Sequence, residues 1–499
     1  MATQSTTISP TTTEKLDSII STAATASELW AATPAVERAA ALICIASALD
    51  AAAPELIPVA REETNLAEGR LKGELQRTTF QLRLFAETLN EGSYLDARID
   101  HADQQWPMGA PRPDLRRQLE PLGPVLVFSA SNFPFAFSVA GGDTASALAA
   151  GCAVILKAHS GHPKLSEATG DVVRTALAKA GAPEGLFSVI FGTQAGMDAL
   201  ADPLIKAGSF TGSISGGRAL FDIASSRPEP IPFYGELGSV NPVFVTRAAA
   251  EIRKEEIAAG FTASFTLSAG QFCTKPGVLF VPAGSGLPEL IAAQDLAEAT
   301  PLLNPRIQSG YIEALQTVSN HDSVQVLRSE KRSLEDPPAP TILMTTAKKL
   351  IKDHEEIFTE CFGPAALVVT FENDSELLEV ASIIEGQLTA TIHGENSDDV
   401  AELVRLLAKK AGRVIWNAWP TGVSVTYAQQ HGGPYPATTS STSTAVGTAA
   451  INRFLRPVAY QGFPQHLLPI ALQDSNPLCV PQQVNGKSAG ASHPMDHNK

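Results

Sequence analysis

Two rhythms of apolar and polar positions divide the chain. Residues 14 to 60 and 74 to 90 carry apolar side chains at helical spacing, and "LDSIISTAATASELWAATPAVERAAALICIASALDAAA" is rich in Ala and Leu. Those stretches predict helices. From residue 121 the rhythm changes. "PLGPVLVFSA", "CAVILKA", "GLFSVIFG" and "IKAGSFTGS" read as strands, while "FSVAGGDTASALAAG" and "HPKLSEATGDVVRTALAKAG" read as helices. Short apolar strands alternating with helices imply βαβ units around a parallel sheet buried on both faces. A second α/β segment starts near Leu237, with strands in "VNPVFV", "GVLFVPA", "AALVVTF" and "LTATIHG" and helices in "AAEIRKEEIAAGFTASFTLSAG" and "DDVAELVRLLAKKAG". "SEKRSLEDPPAPTILM" has the charge and proline content of a surface loop, and "ATTSSTSTAVGTAA" that of a loop with Ser/Thr hydrogen bonds. "VNGKSAGASHPMDHNK" reads as an exposed tail.

Composition narrows the class. Of 499 residues, 44% are apolar and 18% charged, which fits a globular enzyme and is too apolar for disorder. A net charge of −15 argues against a nucleic-acid partner but allows a locally basic pocket. Five cysteines without CxxC spacing give neither a disulfide framework nor a zinc motif, so no metal is expected and reduced thiols in a cytoplasm fit best. The start "MATQSTTISPTTTEKLD" lacks the pattern of a signal peptide, and no run of about 18 uninterrupted apolar residues predicts a membrane span.

Six places carry candidate chemistry. In "SAGQFCTKPGVLF", Cys273 leaves a helical pattern and precedes a Lys-Pro-Gly turn, where a thiol is either structural or reactive. Cys44, Cys152, Cys361 and Cys479 look structural. In "FTGSISGGRAL", Gly212 and Gly217 bracket a strand–helix join with Ser213 as N-cap, a plain βα turn or a phosphate site. Lys157, His159 and Ser160 lie past the carboxyl end of a parallel strand, the edge where open α/β sheets bind ligands, though an exposed loop lysine is the alternative. Asn132 in "SASNFPFAFS" either caps a helix or donates to an oxyanion. Glu236 in "FYGELGSVNP" sits in an apolar, glycine-flanked setting that would raise its pKa toward general-base work, unless a partner neutralises it. Glu360 directly precedes an apolar run, and a solvated helix end would explain it too.

Taken in order, Asn in "SNFP", Lys in "LKAHS", "FTGS", Glu in "GELG", Cys in "GQFC" and Glu before "FGP" resemble the aldehyde dehydrogenase superfamily over nearly the whole chain. "PRPDLRRQLEPLGPV", "GQFCTKPG", "NAWPTGVSV", "HGGPYPATT" and "AAINRFLRPVAYQGFP" are most similar to bacterial α-ketoglutarate semialdehyde (2,5-dioxopentanoate) dehydrogenases. NADP-dependent fatty aldehyde dehydrogenases share part of that pattern and form the alternative, followed by a non-catalytic relative. Three features depart from the wider family: Phe272 before the cysteine with "TKPG" after it, the repeated "E-x-F" that makes Glu356 a rival to Glu360, and the lack of a tryptophan before Asn132.

The resemblance implies roles. Cys273 would attack the aldehyde, with the Asn132 amide and the Cys273 backbone N–H holding the oxyanion of the thiohemiacetal. Hydride would pass to a nicotinamide, and Glu236 would activate water against the thioester. Glu360 and Phe362 would hold the nicotinamide ribose and ring, Gly212, Ser213 and Gly217 the pyrophosphate, and Lys157 the adenosine ribose. Where NAD-preferring relatives often carry glutamate, this chain has Ser160, which favours NADP and leaves NAD possible. Phe133, Phe272 and Thr274 would wall the aldehyde pocket. Arg77 and Gln81, one helical turn apart, would meet a distal carboxylate, or are simply solvated. The implied fold is α/β: a Rossmann-like parallel-sheet cofactor domain (1–96 and 121–236), an α/β catalytic domain (237–430), and an oligomerisation hairpin with the C-terminal segment (97–120 and 431–499). At least a homodimer, or a dimer of dimers, is implied.

Overall fold

The computed structural model describes residues 8–330, 332, 333 and 336–489. Three sheets organise the chain. The first has five parallel strands in the order Phe187–Ile190, Val154–Lys157, Val125–Phe128, Ala207–Thr211 and Phe233–Glu236. Its strands run outward in both directions from Val125–Phe128, so connections leave on opposite sides of that strand and its neighbour Ala207–Thr211. A crevice opens at the carboxyl ends where such an order reverses. Val125, Leu126, Val154, Ile155 and Leu156 have no exposed surface, as strands covered by helices on both faces require.

The second sheet has seven strands, running Gln325–Arg328, Thr341–Thr346, Ala365–Phe371, Val278–Pro282, Val243–Val245, Gln387–His393 and Ala411–Trp416. Only the Gln325–Arg328 edge is antiparallel. The third sheet is small and mixed. Ala97–Asp100 and Leu115–Pro121 form its central hairpin, flanked by Leu455–Gln461 on one side and by Gln482–Val484 with Lys487–Ala489 on the other.

Several elements differ from the expectations above. The first predicted helix is two, Thr13–Ala32 and Ala35–Thr64, separated at Pro34. The third starts earlier than expected, spanning Glu68–Glu91. "FSVAGGDTASALAAG" becomes helical only over Gly142–Ala150. The segment read as a loop ends in the buried strand Thr341–Thr346, whose apolar positions were masked by the charged and proline-rich residues before them. The predicted tail begins with the paired strands Gln482–Val484 and Lys487–Ala489, and residues 490–499 lie outside the described residues. By length and composition alone, Ala35–Thr64 would be long and apolar enough to cross a bilayer. In this fold its Leu42, Ile45, Ala46 and Leu49 are buried in the main core, and the helix packs on Glu68–Glu91 and Pro163–Lys179.

Candidate active site

The turn that delivers Cys273 is built from unusual backbone. After the helix Lys254–Thr266, Ser268 (φ 49°), Ala269 (φ 53°) and Gly270 (φ 67°) are all left-handed. For Ser and Ala this conformation costs about 1–2 kcal/mol each, so the surroundings must hold it. Gln271 does so, donating through Nε2 to Ser268 O at 3.1 Å and accepting from Leu303 N at 2.9 Å. Gly270 also lacks room for a side chain: a Cβ there would lie 2.1 Å from Gly363 O. Asn241 Nδ2 then fixes the next residues, donating to Cys273 O at 2.8 Å and Lys275 O at 3.0 Å.

Glu236 ends the last strand of the first sheet and is buried. Facing it is His431, which the local sequence reading did not single out. His431 is held by its own backbone: its N–H donates to Thr444 Oγ1 at 2.8 Å, and its carbonyl accepts from Ala445 N at 2.8 Å. Two glycines follow because the loop threads between sheets; a Cβ on Gly433 would lie 2.2 Å from Gln387 O. His431 Nε2 lies 2.8 Å from Glu236 Oε1 and 3.6 Å from Cys273 Sγ. The 2.8 Å contact is off the line of a hydrogen bond, so both Glu236 oxygens and His431 Nδ1 lack hydrogen-bond partners among the described residues. The reactive atoms of Glu236, Cys273 and His431 lie within 4.8 Å of one another. Burial pushes the Cys273 thiol well above its usual pKa, the negative charge of the neighbouring Glu236 pushes it further, and Arg77 opposes them. The thiol is therefore protonated at neutral pH until a base takes its proton.

A cavity of about 250 Å³ opens above Cys273, lined by Arg70, Arg77, Phe133, Phe137, Phe272 and Val423 among others. Helix Glu68–Glu91 presents both arginines to it and anchors the opposite wall. Its buried Glu74 accepts from Phe135 N at 2.8 Å and Ala136 N at 3.0 Å, tying down the segment that begins with Asn132. Arg70 Nη2 donates to Asn132 O at 2.6 Å, and its guanidinium lies 4.8 and 4.7 Å from the ring centroids of Phe133 and Phe272. Arg70 Nη1 and Arg77 Nη1 have no partner among the described residues. The Asn132 amide spends one donor on Gln271 O at 3.2 Å, leaving its second N–H free for another acceptor.

The residues read as cofactor-binding gather at the carboxyl edge of the first sheet. Lys157 ends strand Val154–Lys157, and Ser160 is exposed beyond it. Burial and the neighbouring His162, Lys157 and Arg306 hold His159 down to about 3, so it is a neutral imidazole. Arg306 supplies the nearby arginine that the sequence did not reveal. It opens helix Pro305–Ser319 and acts electrostatically on Lys157 as well as His159. Ser213 caps helix Ile214–Ser226, accepting from Gly216 N at 3.2 Å. Gly217 is buried, and a Cβ there would lie 2.1 Å from Leu237; steric packing alone requires glycine. Gly212 N donates to Glu236 O at 3.0 Å, coupling the turn to the strand that carries Glu236. The Glu360 carboxyl reaches Gly238, where a Cβ would lie 2.7 Å from its Oε2. Its pKa is pushed up to about 7 by burial, against the pull of Lys275 and the Ser239 amide. Phe362 is half-buried. At Gly238 the start of helix Ile214–Ser226 and the Glu360 carboxyl come together, and a helix N-terminus at the carboxyl edge of a parallel sheet suits a dinucleotide.

Some expectations need correction. Gln81 is buried and does not line the cavity: its Nε2 packs 2.8 Å from where a Gly142 Cβ would lie. One turn beyond Arg77, Gln81 packs against the neighbouring helix Gly142–Ala150 and not into the pocket. Glu356 is exposed and pairs with His321 at 3.1 Å, so it is no rival to Glu360. Thr274 is fully buried at the cavity wall, accepting from Gly422 N at 3.3 Å. Residues 431–445 run along the site, so the segment after residue 430 is not confined to the small sheet.

Residues 2–458 match the model of the aldehyde dehydrogenase family. The chain is 43% identical over 458 residues to an alpha-ketoglutaric semialdehyde dehydrogenase of Acinetobacter baylyi, covering 90% of this chain and 87% of the relative. It is 44% identical over 469 residues to alpha-ketoglutaric semialdehyde dehydrogenase 2 of Azospirillum brasilense, covering 92% and 89%. Among solved structures, a 1-pyrroline-5-carboxylate dehydrogenase from Thermus with bound NAD superposes with a TM-score of 0.75 at 19% identity, covering 91% of this chain and 86% of that one. That likeness shows the fold. The chain belongs to the aldehyde dehydrogenase family, oxidoreductases that act on aldehydes with a nicotinamide cofactor.

Proposed function

We propose that the enzyme oxidises α-ketoglutarate semialdehyde (2,5-dioxopentanoate) to 2-oxoglutarate, with NADP preferred over NAD. The observation that carries this reading is the cavity above Cys273, which the guanidinium donors of Arg70 and Arg77 line. A substrate with a carboxylate at its far end satisfies such donors; a long aliphatic chain leaves them bare. The names of the two bacterial relatives support the same substrate.

His431 takes the proton of the Cys273 thiol, which attacks the aldehyde carbon. The free N–H of Asn132 and the Cys273 backbone N–H receive the oxyanion. A bound nicotinamide supplies the hydride acceptor, and Glu360, Phe362, Lys157 and the 212–217 turn would hold that cofactor. Glu236 then draws a proton from water, which attacks the Cys273 thioester and releases the carboxylate product. The NADP preference rests on Ser160, which donates to a 2′-phosphate, with Lys157 and Arg306 supplying charge. The assembly is a homodimer or dimer of dimers built on the small sheet, whose outer strands Leu455–Gln461 and Lys487–Ala489 have unpaired edges among the described residues. Five free thiols support a cytoplasmic setting. The deciding assay compares a short keto-semialdehyde with a long aliphatic aldehyde under each cofactor. Higher kcat/KM for the fatty aldehyde would move the assignment to the fatty aldehyde dehydrogenases.

A further inference from the structure

Lys275 follows the nucleophile by two positions, yet only 4% of it is exposed. A buried ammonium keeps its charge only if its three donors are met. Here all three are: Nζ donates to Cys361 O at 2.7 Å, Gly363 O at 3.2 Å and Ala365 O at 2.8 Å. These carbonyls interleave with Glu360, Phe362 and Pro364, so fixing them fixes the peptide plane before Phe362 and the one after Gly363. From the other direction, Gly270 packs its backbone against Gly363 without room for a Cβ. Asn241 holds the carbonyls of Cys273 and Lys275 in the same place. Two segments about ninety positions apart in sequence are thus joined through one side chain.

We propose that Lys275 is a positioning residue that locks the Glu360–Phe362 turn to the Cys273 segment, so that the cofactor-holding groups and the nucleophile keep one spacing. This rests on reading Glu360 and Phe362 as contacts of the nicotinamide half of the cofactor. A lysine serving only to stabilise the fold would lower Tm and nothing else. The clamp has a further consequence: disturbance on one segment is felt on the other.

Lys275→Met removes the donors and the charge at similar length, and Lys275→Gln keeps two N–H donors. Cofactor Kd is measured by calorimetry, and Cys273 reactivity by iodoacetamide alkylation with and without cofactor. The expected result is a Kd raised about tenfold or more in Lys275→Met, an intermediate Kd in Lys275→Gln, and loss of the cofactor's effect on alkylation. Wild-type Kd and alkylation response in a folded Lys275→Met with lowered Tm overturn the clamp. Glu360→Gln separates the underlying reading: unchanged Kd there refutes Glu360 as a cofactor contact, whereas weakened binding there with wild-type binding in Lys275→Met refutes only the clamp. Should neither lysine variant fold, hydrogen exchange on the wild-type enzyme decides. Cofactor should protect amides of 273–277 and 360–365 together, and protection of one segment alone overturns the proposal.

Discussion

Cys273 Sγ lies 3.6 Å from His431 Nε2, across 158 positions of sequence, and the same nitrogen lies 2.8 Å from Glu236 Oε1. A thiol whose pKa is pushed well up by burial and by an adjacent carboxylate needs a proton acceptor in contact with it. His431 is the group in that position. His431→Gln keeps the volume and removes the base, and is expected to lower kcat by about 10²–10⁴, the usual range for a lost general base. Alkylation of Cys273 should slow as well. Wild-type alkylation in that variant would show that the thiol ionises without the imidazole.

Glu236 acts on the thiol with a definite sign. Its negative charge raises the Cys273 pKa, so Glu236→Gln should lower it. At pH 8 the variant should then be alkylated faster than wild type, by about tenfold for each pKa unit recovered. Turnover should move the other way, because Gln cannot activate the water that cleaves the thioester. A burst of reduced cofactor followed by slow steady state is the expected trace. Slower alkylation at every pH would mean that Glu236 serves as the thiol's base instead.

Four strands of the first sheet were readable because each is a short, largely apolar run, and the chemistry at their carboxyl ends was readable because the order of the parallel strands places loops there. Phe233–Glu236 was less visible as a strand, since glycine and glutamate break its pattern. His431 carries no local signal of chemistry. Only the paired glycines after it betray a close approach, and what they approach is set by the second sheet. Arg70 was accessible in principle, standing two helical turns before Arg77 on the same face. Gln81 shows the opposite lesson: helical spacing placed it near that face, but a side chain's partner depends on which neighbour is packed there. The role of Lys275 could not be read from "TKPG", because its three acceptors lie in a segment near residue 361.

Arg77 and Arg70 should separate by kinetics. Arg77 donates to Val423 O over a long 3.4 Å and lines the cavity. Arg77→Ala is expected to raise KM for the acidic semialdehyde about 10- to 100-fold, the range of 1.5–3 kcal/mol for a charged hydrogen bond. KM for a neutral aliphatic aldehyde should barely change. Arg70 is also bonded to Asn132 O and stacked on Phe272. Arg70→Met should therefore lower kcat for both aldehydes, since the Asn132 donor loses its support. An equal KM rise for both substrates in Arg77→Ala would remove the carboxylate contact.

Cofactor choice turns on the loop after Lys157. Ser160 is exposed there, His159 is neutral because burial and nearby cations hold it to about 3, and Arg306 reaches the same cluster from helix Pro305–Ser319. The positive charge available to a 2′-phosphate thus comes from Lys157 and Arg306 and not from His159. A carboxylate at position 160 would bind the ribose hydroxyls and repel the phosphate, and like charges in contact cost several kcal/mol. Ser160→Glu is therefore expected to lower the NADP/NAD ratio of kcat/KM by at least about tenfold, the effect of 1.4 kcal/mol. Arg306→Ala should lower the same ratio by raising KM for NADP while leaving KM for NAD near wild type. Both effects should shrink as ionic strength rises, because the cluster is partly open to solvent. An unchanged ratio in Ser160→Glu would place the 2′-position away from this loop, and NADP preference would need another origin.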